Sequence, residues 1–124
     1  MDQALIINFA QQTLGCHCPD EVFRDITVSH KLPFNIHSRI LIGERLLIYL
    51  VAQPSPPDEQ RLNELATVGL MDRDRHHYNR LRIVLIGAWA NEQSKLHEMW
   101  NDIVDRDEKS HLHCLESCAL LEGG

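Results

Sequence analysis

The sequence predicts an α/β fold, a single domain over residues 1–118 with a short tail at 119–124. Its sheet is expected to be mixed and mostly parallel, with about four strands, an antiparallel hairpin at one edge, helices packed on it and a helix at the N-terminus. Three observations carry this. Leu46–Ala52 and Ile83–Ala88 are apolar runs without alternation, as in strands covered on both faces. Segments of helical periodicity lie between and after them. Strand, helix, strand, helix, strand in that order is the pattern of right-handed parallel crossovers.

Taken in order, Leu5, Ile6, Phe9, Ala10 and Leu14 fall on one face at helical spacing, and Gly15 suits the left-handed cap that ends a helix. A short helix is expected from Pro19 to about Asp25, with Cys18 at its cap and Val22, Phe23 and Ile26 on its buried side. Ile40–Ile42 and Leu46–Ala52 should pair across Gly43-Glu44 as a type II′ hairpin, with Arg45 facing Ile42. Ser55-Pro56-Pro57-Asp58 opens the next helix, with Ser55 as the cap and Leu62, Leu65, Ala66, Gly69 and Leu70 as its inner stripe. A third long helix begins near Asn91, where Leu96, Met99, Trp100, Ile103 and Val104 follow the helical rule. His111–Leu115 is a short closing strand, and the tail is expected to fray.

Composition narrows the function. A chain of 124 residues with 44% hydrophobic and 24% charged residues is ordinary for a globular domain. A net charge of −6 argues against general affinity for nucleic acid or anionic lipid. Met1-Asp2-Gln3 lacks the basic start of a secretory signal, and no apolar run has the length of a membrane span. A cytoplasmic address is therefore expected, where the four cysteines serve as thiols, metal ligands or transient redox groups rather than staples.

The chemistry concentrates at Gly15-Cys16-His17-Cys18-Pro19. Two soft ligands stand two residues apart, before a proline that can open a helix whose positive end favours thiolates. His111 and His113 alternate onto one face of their strand, roughly 7 Å apart at the backbone and close enough to share an ion. Cys114 points to the other face. Should the chain termini meet, Cys16, Cys18, His111 and His113 make a four-ligand set that tetrahedral zinc accepts. Zinc knuckles usually space their cysteines more widely, so a thiol redox pair, with Cys18 attacking and Cys16 resolving, is the alternative. Packing of small buried residues at a tight turn is the plain reading.

Two resemblances bear on this. Gly15, Cys16, Cys18, Pro19, Asp20, Val22 and Phe23 resemble the G-C-x-C-P-E/D-x-V-F segment of a family of small prokaryotic proteins of uncharacterised function, which also end near a His-x-His strand like His111 and His113. That resemblance extends over most of the chain and implies no activity. Cys114-Leu115-Glu116-Ser117-Cys118 resembles the C-L-x-x-C segment of thioredoxin-like 2Fe-2S ferredoxins. It implies Cys114 and Cys118 as additional cluster thiols, although that family spaces its first cysteine pair more widely and continues into further sheet.

Arg73, Arg75 and Arg80 gather near a helix end and offer a site for phosphate or carboxylate, although Asp72 and Asp74 offset part of their charge. No phosphate-cradling glycine loop, zinc-protease helix or nucleophile elbow occurs, so no catalytic residue is assigned. The expected function is a small intracellular metal-binding accessory protein. A thiol redox protein or a non-catalytic interaction subunit, pairing through an exposed edge at Arg39–Ile42 with another copy or a partner, are the alternatives.

Overall fold

The computed structural model describes residues 3–15, 20–30, 32–91 and 94–122. Five strands form one mixed sheet in the order β1-β2-β3-β4-β5, with β1 Ile26–Ser29, β2 Ser38–Ile42, β3 Leu46–Ala52, β4 Arg80–Ile86 and β5 Ser110–Leu115. β1, β2 and β3 pair antiparallel, whereas β3, β4 and β5 pair parallel. The α/β expectation stands, but the sheet has one strand more and half of its pairings are antiparallel. The added strand is β1. Its Ile26 had been assigned to the preceding helix, which is a 3-10 turn over Asp20–Arg24. β1 also covers Arg39–Ile42, so that segment is an interior strand and offers no pairing edge.

Two helices, α2 (Glu59–His76) and α3 (Ser94–Ile103), cover one face of the sheet. Between them and the sheet lie Leu47, Tyr49, Val51, Leu62, Leu65, Leu81, Ile83, Leu85, Leu96 and Trp100. The opposite face packs Ile40, Ile42, Ile48, Leu50, Val84 and Ile86 against α1 (Gln3–Asn8) and α4 (Ala119–Glu122). Leu120 of α4 is buried there, so the tail ends in a docked helical turn rather than a frayed end.

Local departures from expectation have local causes. α1 continues as a π-helical turn over Phe9–Thr13, closed by Leu14 N–H donating to the Phe9 carbonyl at 3.1 Å. That five-residue step rotates the apolar stripe, burying Leu14 and leaving Leu5 40% exposed. Gly15 takes the expected left-handed conformation at φ 69°. In the hairpin both Gly43 (φ 60°) and Glu44 (φ 55°) are left-handed, so the turn is type I′ rather than II′. Ile42 pairs with Leu46, leaving Arg45 as an extra residue whose carbonyl accepts from Arg80 N–H. The cap of α2 is Asp58, whose carboxylate accepts from Arg61 N–H at 2.8 Å, not Ser55. Pro57 holds the residue before it out of the helical region, so the helix begins after both prolines.

A polar tie joins α2 to the sheet. Arg39 grips Asp72 through two hydrogen bonds of 2.7 and 2.9 Å, and the Tyr49 hydroxyl donates to the same carboxylate. Burial pushes the Asp72 carboxyl up, but the bonds from Arg39 and Tyr49 outweigh it and hold it below the usual carboxylate range.

Candidate functional site

Period-two alternation and the β4–β5 register decide what the closing strand presents. Arg82 stands opposite His111, and Val84 opposite His113. All four side chains therefore lie on the face covered by α1, while Leu112 and Cys114 point into the α2–α3 core. His111 and His113 share a face as the sequence predicts, and Cys114 opposes them.

That face carries an unusual charge. Arg82 is only 6% exposed, and one of its terminal nitrogens donates to the carbonyls of Leu81 (2.9 Å) and Lys109 (3.4 Å). No carboxylate pairs with it among the described residues. Burial, with a smaller contribution from Arg80, pulls the guanidinium pKa down to about 10. Burial and then the Arg82 charge push His113 down to about 4 and lower His111 as well. The Nε2 of His113 is buried with no hydrogen-bond partner among the described residues. A neutral imidazole with an unoccupied ring nitrogen is the form in which histidine ligates metal.

This imidazole ties stability to pH. His113 titrates at about 4 when folded and near 6.5 when unfolded, so between those values the unfolded chain holds the extra proton. Metal-free protein is therefore expected to lose stability as pH falls from about 6.5 to about 4, and His113→Leu to lose much less over that window. Urea unfolding of both proteins across the range measures it; parallel curves reject the buried neutral imidazole.

The termini do come together where the structure describes them. Phe9 and Thr13 of the first helix line a pocket of about 250 Å³ with Leu115, Cys118 and Leu120. Leu14 and Phe23, buried residues before and after positions 16–19 in the sequence, belong to the same core as Val84 and Ile86. Cys16 and Cys18 themselves lie outside the described residues. Among the described residues, no group of three or more histidine, cysteine and carboxylate side chains is placed to hold a metal. Cys114 and Cys118 are buried in separate cores on opposite faces of the sheet. Burial pushes the Cys114 thiol up to about 11, which makes it unreactive at neutral pH.

The arginine cluster is dispersed by its partners. Arg73 bonds Asp107 at 2.7 Å, Asp74 at 3.1 Å and the Ser110 hydroxyl at 2.7 Å, which binds the end of α2 to the start of β5. Arg75 lines a different cleft beside Met71 and Asp72, and Arg80 opens β4 at the surface. Trp89 packs at the sheet rim, its Nε1–H donating to the Gln53 carbonyl at 2.7 Å.

Sequence reasoning missed a second polar group. His30 and His37 line a cleft of about 630 Å³ beyond the end of β3, and both hydrogen-bond the buried Ser38 hydroxyl. The available signal was a pair of histidines bracketing a Leu32-Pro33-Phe34-Asn35 loop, but only the antiparallel register brings them together. Arg82 was missed as a site residue because only the β4–β5 register sets it opposite His111.

Comparison with known families, with curated proteins and with solved structures found no match to this chain. Among the described residues, no helix is long and apolar enough to cross a membrane.

Proposed function

We propose that this chain is a small cytoplasmic metal-binding accessory protein. Cys16 and Cys18 supply two thiolates, and His111 and His113 complete the set with neutral imidazoles. Zinc suits that mixture of sulfur and nitrogen donors. The observation carrying the reading is the buried Nε2 of His113, which has no hydrogen-bond partner among the described residues, on the sheet face where Leu14 and Phe23 are also buried. The positive charge of Arg82 on that face favours thiolates there.

That same charge favours a second reading, in which Cys16 and Cys18 form a thiol redox pair whose attacking sulfur ionises early. Elemental analysis of protein purified without a histidine tag separates the two. About one zinc per chain, lost in the Cys16→Ser/Cys18→Ser variant, is expected. Cobalt substitution should give a sulfur-to-metal absorption band that disappears in the same variant. Metal content unchanged by the double substitution overturns the metal reading. A thiol reacting well below the ordinary value of about 8.5 in metal-free protein supports the redox one.

A further inference from the structure

The cleft beyond the end of β3 lies apart from the β5 histidines and has a chemistry of its own. β1 runs alongside β3 in direction and β2 runs against both, so the end of β1 and the start of β2 meet the carboxyl end of β3. Ser29 pairs with Arg39, Ser38 pairs with Leu50, and His37 N–H donates to the Leu50 carbonyl at 2.8 Å. His30 and His37 therefore stand at the carboxyl edge of the parallel strands, where open α/β sheets bind their ligands.

Ser38 is fully buried and joins the two rings, its Oγ lying 2.5 Å from His37 Nδ1 and 3.3 Å from His30 Nδ1. The rings meet edge to face with centroids 5.9 Å apart. Ser38 Oγ occupies Nδ1 of each ring, and both residues line the cleft. A hydroxyl has one proton to donate. When both rings are neutral, one Nδ1 accepts that proton and the other donates its own hydrogen to Oγ. The first ring then carries N–H at Nε2, and the second carries a lone pair there. The buried serine thus fixes opposite tautomers, and the cleft is offered one hydrogen-bond donor and one acceptor.

The walls are built for occupancy by something small. Leu32, Ile36, Ala52 and Leu121 supply apolar contact, and the Asn35 amide sits among them. Phe34 and Asn35 are consecutive left-handed residues at φ 60° and 58°, the centre of a type I′ turn that Ile36 N–H closes on the Pro33 carbonyl at 3.3 Å. Arg61 of α2 holds this loop by donating to the Phe34 carbonyl at 2.6 Å while its Nε bonds Gln53.

We propose that this cleft binds an uncharged small molecule through an amide-type edge, a donor and an acceptor side by side as in a lactam or a pyrimidine base. The donor of the ligand meets the bare Nε2, its carbonyl meets the Nε2–H, and its ring lies against the apolar wall.

The test uses uracil and 2-pyrrolidinone as probes, with 1,3-dimethyluracil and N-methyl-2-pyrrolidinone as controls lacking the donor. Imidazole nitrogen shifts of the full chain are followed by long-range 15N–1H correlation. Saturable movement of Nε2 in both His30 and His37 is expected, with a dissociation constant on the order of 1 mM for fragments of this size. The methylated controls should bind at least tenfold more weakly. Ser38→Ala should weaken binding and remove the difference between the two tautomers. His30→Ala, at an exposed position, keeps the fold and should abolish saturation at His37. Failure of both probes to move either ring, equal binding of the methylated controls, or wild-type affinity in His30→Ala overturns the proposal. None of these outcomes depends on metal content or on the cysteines.

Discussion

Trp100→Ala is expected to lower unfolding stability by about 3–5 kcal/mol, the range for removing a large buried aromatic. Trp100 is 1% exposed in the core between α3 and the sheet, and its Nε1–H donates to the Ser110 carbonyl at 3.1 Å. Alanine removes the ring and leaves a cavity, and it deprives that carbonyl of its side-chain donor. The position matters because Ser110 opens β5 and is itself fixed by Arg73 and Asp107. Two helices therefore clamp the start of the strand that carries His111 and His113. Urea unfolding measures the loss. Amide exchange in β5 should rise more than in β3, since β5 is an edge strand held by that clamp. A loss below about 1 kcal/mol would show that α3 can collapse into the space.

How far the sequence foretold this molecule depends on whether the signal was local or lay in the pairing. Leu46–Ala52 was legible because a strand buried on both faces reads as an unbroken apolar run, and so was the Ile83–Ile86 part of β4; its start at Arg80-Leu81-Arg82 was hidden by the two arginines, and Ala88 belongs to a 3-10 turn beyond the strand. The stripes of α2 and α3 were legible because both helices bury one side. β1 was not, because its Ile-Thr-Val-Ser alternation lasts only four residues and none of them is fully buried. The π-helical turn at Phe9–Thr13 was invisible to a strict helical period, which is why Leu5 was placed inside. In the site, two-residue periodicity put His111 and His113 on one face and Cys114 on the other. It had no means of showing that Arg82 stands opposite His111, or that Ser38 joins His30 to His37. Those relations come from register between strands, which a single sequence does not encode locally.

Arg82→Met is expected to stabilise the fold by about 1–3 kcal/mol, against the usual direction of core substitutions. The guanidinium sits between Ile48 on β3 and His111 on β5, and among the described residues it bonds two carbonyls rather than a carboxylate. Methionine fills similar space without a charge to desolvate. The sign of the pH dependence agrees. Burial lowers the folded pKa from the ordinary guanidinium value to about 10, so at any lower pH the folded state keeps a charge it disfavours. Wild-type stability from this group should rise only above about pH 10, as the folded chain releases the proton first. In Arg82→Met that alkaline gain disappears and neutral-pH stability increases. Removal of the charge should also let the His113 pKa climb from about 4, although burial still holds it below the ordinary value. A buried cation kept at such a cost has a use for its charge, and thiolates on the same face are the use proposed above. The variant should therefore combine greater stability with weaker metal retention or less acidic thiols at Cys16 and Cys18. Lower stability in urea would mean that the guanidinium finds compensation within the fold, and the argument from its isolation would fall.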